Sequence, residues 1–295
     1  MPELVIFTAP KPFTDPHIDL IQRNAIRSWL QFGDRVEVVL IGDEEGIAAA
    51  AEEFQVSHRG NVRKNSWGTP LVNSIFSLAR EATKAPVLLY LNADIILLPG
   101  FIDIVRSIDE SEDEYLLVGR RTDLDIEQPL SFDSGWDQKL ELRARQHAGK
   151  TSYTAIDYFV FPREIFQEIP PFAIGRAGWD NWMIFNAQDQ GWKTIDLSPS
   201  TTVIHQNHDY RHLPGGKPHY KLEESKLNVQ YGGGETHIYD LLDLKWEYSD
   251  QKITRIKFDR LRLLRKLERW VMSESREGWR WRVTRWIKRA RKKLS

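Results

Sequence analysis

The 295-residue chain has no cysteine and only three methionines. Without cysteine there is no disulfide framework, no thiolate metal site and no cysteine nucleophile, and a reducing compartment is permitted. Any bound metal must be held by oxygen or imidazole. Long hydrophobic runs are also missing: Val87 to Leu91 followed by Ile95 to Leu98 falls far short of the roughly 20 residues that span a bilayer. At the N-terminus Leu4 to Phe7 is short and follows Glu3 rather than a basic cluster, so no secretory signal is expected. At 41% hydrophobic and 28% charged residues, the chain is not disordered along its whole length; it suits one large domain or two smaller ones.

Net charge is nearly absent at −1, but the balance is uneven. From Arg255 to Ser295 there are 16 basic and 4 acidic side chains, or +12, which leaves 25 basic against 38 acidic, or −13, before it. An acidic body with a basic, tryptophan-bearing tail speaks of partners rather than of fold, and disfavours a nucleic-acid-binding body.

Leu4 to Phe7 predicts a buried strand stopped by Pro10 and Pro12, and Ile18 to Leu30 predicts a helix closed by Gly33. Val36 to Ile41 predicts a second strand, Glu45 to Phe54 and Pro70 to Thr83 two helices, and Val87 to Leu91 a third strand. This order implies a parallel sheet with helices on both faces, whose ligands sit beyond the C-terminal strand ends where strand order reverses. Thr8, Asp43, Asn92 and Asp94 fall there; alternatively they only end strands and begin turns. Further strands are expected at Tyr115 to Val118, Tyr158 to Phe161 and Thr201 to Ile204, with helices at Pro162 to Ile169 and from Trp179.

Three groups could carry chemistry. Asp94 at a strand tip beside Asn92 is a reasonable hard-cation ligand. His205 and His208, two of four histidines between His205 and His219, could complete an oxygen-rich Mn2+ site, or belong to a hydrogen-bonded surface loop. Gly175-Arg176-Ala-Gly178-Trp179-Asp180 presents Asp180 near a helix start, flanked by Trp179 and Trp182. That carboxylate could cap the helix. It could also be a general base, with the rings desolvating it and offering a platform for a sugar. Nucleophile elbow, P-loop and GxGxxG motifs are all missing.

The succession Thr8-Ala-Pro, Gly42-Asp43, Asn92-Ala-Asp94 and Gly178-Trp-Asp-Asn181 resembles the GT-A fold glycosyltransferases, family 2-like nucleotide-sugar transferases, from about Leu4 to about His212. The resemblance implies a Rossmann-like, mostly parallel α/β sheet flanked by helices, and a divalent cation, Mn2+ or Mg2+, bridging the donor diphosphate. Asp94 matches the last Asp of the D-x-D motif, whereas Asn92 departs from the first. Thr8 and Asp43 would line the nucleoside pocket, with Lys64 and Asn65 near the nucleotide. Asp180 matches the acceptor-side base of inverting members, and His205 or His208 a late metal ligand. Asp157, Tyr158, Arg176, Trp179 and Trp182 would lie near sugar or acceptor. The implied partners are a UDP- or GDP-sugar and a saccharide or lipid-linked acceptor, as in polysaccharide biosynthesis.

In the tail, Leu261, Leu264, Leu267 and Val271, then Trp281, Trp286 and Ile287, recur at helical spacing among Lys and Arg. Such a segment suits an anionic membrane surface or packs on the acidic body. The organisation expected is a GT-A-like catalytic domain over 1–254, with its nucleotide half at about 1–110 and its acceptor half at about 111–254, followed by a basic helical tail over 255–295. A cytoplasmic protein, peripheral on the inner membrane face and without nucleic acid, is the expectation. The rivals are a sugar-1-phosphate nucleotidyltransferase, whose Gly-rich, Arg-containing phosphate loop is missing, and a carbohydrate-binding or membrane-adaptor protein without catalysis.

Overall fold

The computed structural model describes residues 2–147, 152–208, 222–274 and 277–294. His212 and His219 lie outside the described residues, as does the end of the expected resemblance.

A buried apolar run opens the chain as β1 (Leu4–Thr8), and Pro10 and Pro12 stop it. Asp15 then caps α1 (Pro16–Leu30), accepting from the backbone N–H groups of His17 and Ile18 at 2.9 and 3.0 Å. Next come β2 (Val36–Ile41), α2 (Ile47–Phe54), β3 (Ser57–Arg59), α3 (Val72–Ala82) and β4 (Val87–Leu91). After β5 (Ile95–Leu97) the chain continues through α4 (Gly100–Asp109), β6 (Tyr115–Val118), β7 (Thr122–Leu124), α5 (Trp136–His147) and β8 (Tyr158–Pro162). The remainder is α6 (Trp179–Asp189), β9 (Lys193–Asp196), β10 (Val203–Gln206), α7 (Glu223–Tyr231), β11 (Trp246–Ser249), β12 (Lys252–Arg255), α8 (Arg260–Val271) and α9 (Gly278–Leu294).

Nine strands form one sheet in the order β12-β11-β9-β6-β8-β4-β1-β2-β3, in which only β8 and β12 run against the others. The mostly parallel α/β sheet flanked by helices is the expected fold class. β1 pairs with β2 on one side and β4 on the other. The crevice between the C-terminal ends of β1 and β4 is therefore the switch point where ligands collect in open α/β sheets. A second sheet, β5-β10-β7, abuts it. The chain leaves the large sheet at Leu91, turns through Asn92 to Asp94, and enters the small sheet at Ile95, so Asp94 stands at the joint. Trp29 of α1 fixes this joint by donating its indole N–H to the Ile95 carbonyl at 2.9 Å, fully buried.

Two structural expectations are corrected. Pro162 to Ile169 is not a helix: Phe166 adopts φ 54°, and the Ile165 and Phe166 carbonyls accept from the Arg80 guanidinium at 2.7 and 3.1 Å rather than from helical N–H groups. The late strand is shifted two residues from Thr201–Ile204 to Val203–Gln206, so His205 lies inside it and not beyond its end.

Candidate active site

The register of the small sheet assembles the first part of the site. His205 pairs with Ile95 on one side and Asp123 on the other. This sets His205 Nδ1 3.0 Å from Asp123 Oδ1, and His205 Nε2 3.9 Å from Asp94 Oδ2. His208, just past the strand, brings its Nε2 to 3.1 Å from the same Asp94 oxygen. One ligand atom each from Asp94, His205 and His208 lies within 4.8 Å of the others. The second Asp94 oxygen, Oδ1, is buried with no hydrogen-bond partner among the described residues. An orphaned carboxylate oxygen beside converging imidazole nitrogens is the arrangement a cation completes.

Lys11 adds a positive charge, its Nζ lying 3.2 Å from His208 Nε2. Gln22 of α1 holds its backbone, accepting from the Lys11 N–H at 2.7 Å and donating to its carbonyl at 3.0 Å. Burial alone would push the Asp94 carboxyl up; the His208 hydrogen bond and the charges of His205 and Lys11 outweigh it and hold it at about 2. Asp94 is therefore an anion throughout the physiological range.

Asn92 does not point at this cluster as a ligand. It donates to Asp157 Oδ1 at 2.7 Å and accepts from the Tyr90 hydroxyl at 3.2 Å. Arg121 closes the far side of Asp157 at 2.8 Å, with its Nε also 2.8 Å from Asp123. A chain of contacts thus links Asn92, Asp157, Arg121, Asp123 and His205. It converges where β4, β6 and β8 open onto the same end of the sheet.

Asp180 approaches from α6. Gly178 begins that helix at φ 108°, in the left-handed region that favours glycine, and an added Cβ would press within 3.2 Å of Val229. Its N–H lies 3.3 Å from Asp180 Oδ1. Beneath sits an aromatic column: Trp179 meets Tyr90 edge-on at 5.2 Å and Phe159 at 5.4 Å, while Trp182 packs on Phe172 at 5.2 Å. Desolvation over this column pushes the Asp180 carboxyl up to about 6, with the nearby Asp157 charge adding to it. The charges of Asp94, Asp157 and Asp180 all act on the buried Tyr90 hydroxyl and, with its burial, raise its pKa; the three carboxylates surround one small region.

Other expected residues fall elsewhere. Thr8 is fully buried at the tip of β1, its hydroxyl without a partner among the described residues. Asp43 pairs with Lys64, which also lies 3.2 Å from Glu44, on an exposed rim past β2. Asn65 and Arg176 meet on Glu224, donating at 2.8 and 2.7 Å. Burial would raise that carboxyl, but hydrogen bonds from Thr69, Asn65 and Arg176 hold it below its ordinary value. Arg176 thus ties the loop before α6 to α7, and its charge is already matched. Trp179 and Trp182 are 5% and 7% exposed. They form the floor under Asp180, and the open stacking platform expected of them is corrected. Tyr158 is corrected too: strand alternation turns it to the opposite face of the sheet, edge-on to Phe101 at 5.7 Å.

Lys11, Arg121, Asp123 and Glu224 were not anticipated. Arg121 lies three residues past the Tyr115–Val118 strand, so the strand-end rule that selects Asp94 also reaches it. Asp123 becomes visible only once β7 pairs with β10.

No protein-family model matches the chain, and no curated protein matches it. Among solved structures it is similar to glucosyl-3-phosphoglycerate synthase from Mycobacterium tuberculosis in complex with phosphoglyceric acid, at 14% identity over 78% of each chain with a TM-score of 0.47. It is similar to the same synthase in complex with Mg2+ and UDP, at 16% identity over 77% of this chain and 76% of that one, TM-score 0.44. A mycobacterial protein matches at 14% identity over 80% of this chain and 74% of that one, TM-score 0.45. These are similarities of architecture at low identity, and the roles of the site residues rest on their own contacts.

Proposed function

We propose that the chain is a metal-dependent glycosyltransferase that moves a sugar from a nucleotide-sugar to an acceptor hydroxyl with inversion. The observation that carries it is the pair of carboxylates at one switch-point crevice, oppositely tuned: Asp94 held ionised beside two histidines, and Asp180 raised to about 6.

Asp94, His205 and His208 would hold the cation, and two imidazoles with one carboxylate suit Mn2+ better than the oxygen-loving Mg2+. When bound, the ion neutralises charge that develops on the leaving diphosphate. Lys11 stands beside that position to add its own charge. Thr8, buried at the tip of β1, would back the nucleoside pocket, and the Asp43–Lys64 pair would line its rim. Asp180 takes the proton of the acceptor hydroxyl as that oxygen bonds the anomeric carbon. The bond from the anomeric carbon to the diphosphate oxygen breaks, and the nucleoside diphosphate leaves with the electron pair. A pKa near 6 leaves Asp180 ionised at neutral pH yet basic enough to accept that proton. The acceptor is a saccharide, free or lipid-linked, and the tail gives the chain a peripheral position at a membrane.

Donor hydrolysis and transfer tests with UDP- and GDP-sugars, each with Mn2+, check the reading. Asp180→Asn is expected to abolish transfer while keeping nucleotide binding; near-normal turnover contradicts it.

A further inference from the structure

The two C-terminal helices have faces of different chemistry. α8 and α9 pack on each other, and α8 also packs on the turn Leu241–Asp243. The inward side is an ion network: Arg265 reaches Asp243 at 2.6 Å and Glu268 at 3.2 Å, and Arg291 reaches Glu268 at 2.9 Å and Asp240 at 3.3 Å. These basic groups answer the acidic body, so packing on the body accounts for one face of the tail.

It does not account for the other. On α8, Leu263, Leu267 and Trp270 recur at i, i+4 and i+7 and are all exposed, Trp270 at 78%. On α9, Trp279 and Trp286 lie one heptad apart and are 66% and 68% exposed. Exposed Arg260 and Lys266 flank the first stripe, and exposed Arg282, Arg285, Arg289 and Lys293 the second. α9 contains no acidic residue, and the single one in α8, Glu268, is fully buried. The exposed surface of both helices therefore combines large apolar side chains with charge of one sign.

We propose that this surface docks on an anionic lipid bilayer, with Trp270, Trp279 and Trp286 entering the headgroup region and the flanking Arg and Lys facing lipid phosphates. Tryptophan rings favour that depth, and basic side chains reach phosphates from it. Among the described residues no helix is long and apolar enough to cross a membrane, so the contact is one of lying on the surface. A nucleic acid would use the basic groups but leave Leu263 and Leu267 without a role. The inference extends the peripheral position proposed for the chain and is independent of the donor site.

Sedimentation of the full chain with phosphatidylglycerol vesicles, and with phosphatidylcholine vesicles as the neutral control, tests it. Wild type is expected to bind the anionic vesicles about tenfold or more tightly than the neutral ones. The Trp270→Ala/Trp279→Ala/Trp286→Ala variant should lose about tenfold on anionic vesicles with its unfolding midpoint unchanged. Asp94→Ala should bind vesicles as wild type does, which separates a failure here from a failure of the donor site. No binding to phosphatidylglycerol, equal binding to both vesicles, or undiminished binding by the triple variant overturns the proposal. So does tighter binding to duplex DNA that the tryptophan substitutions leave unchanged.

Discussion

Asp180→Asn has two consequences that the structure sets with opposite signs. Its carboxyl moves from 3.8 to about 6 on folding, mainly because burial disfavours the charged form. A group whose folded pKa is raised is destabilising once it ionises: the native state gains from it fully below the unfolded value, and loses that gain as pH rises towards about 6. At ~1.36 kcal/mol per pH unit the full effect is about 3 kcal/mol, and partial exposure of the side chain reduces it to about 1–2 kcal/mol. Asparagine keeps an acceptor for the Gly178 N–H and never ionises. Urea unfolding of both proteins across about pH 4 to 8 should therefore show the variant gaining about 1–2 kcal/mol on wild type as pH rises, with the change complete by about pH 7. Wild-type transfer should rise with pH through about 6 as the base ionises, and the variant should show none. A stability difference that is flat with pH, or that falls as pH rises, refutes the burial argument; variant turnover refutes the role.

Other substitutions probe the frame around the site. Arg265→Ala leaves Asp240, Asp243 and Glu268 short of a buried partner and should cost about 3–5 kcal/mol in chemical denaturation, whereas a loss under about 1 kcal/mol would show the network to be incidental. Gly119→Ala would set a Cβ 2.3 Å from the Tyr158 hydroxyl and 3.1 Å from the Ser198 backbone N; about 1–3 kcal/mol should be lost, read as a lower unfolding midpoint. Thr8→Val removes a buried hydroxyl without a partner, so the free protein should be unchanged or gain up to about 1 kcal/mol. The same variant should bind nucleoside diphosphate more weakly by calorimetry, and unchanged affinity would remove Thr8 from the pocket.

Where burial is complete, sequence and structure agree closely. Val87–Leu91 and Tyr115–Val118 are unbroken, fully buried apolar runs and are strands over those same residues, and Val36–Ile41, interrupted only by Glu37 at its half-buried start, is one too. β3 has no apolar residue between Ser57 and Arg59 and is held by its pairing with β2 at the sheet edge, so nothing local announces it. Asp94 and Asp180 were legible because a strand tip and a helix start are local features. Asp123 was not, since its place depends on the pairing of β7 with β10; Arg121 falls within the same strand-end rule as Asp94, but only its ion pair with Asp157, just before β8, gives it a role. Trp179 and Trp182 beside Gly178, Asp180 and Asn181 read as surface, yet their three-residue spacing puts both rings on the buried side of α6. His205 reads as a loop residue until the two-residue shift of β10 makes it the partner of Ile95.

The metal-and-nucleotide site stands or falls on thermal unfolding of wild type and Asp94→Ala with UDP or GDP, each with and without Mn2+. A ligand at about 100 times its Kd adds about 2.7 kcal/mol, which raises Tm by about 5 °C in a chain this size. A rise of this order in wild type that needs both nucleotide and Mn2+, and that Asp94→Ala abolishes, is the predicted result. A rise without metal, the same rise in Asp94→Ala, or no rise with either nucleotide contradicts the site.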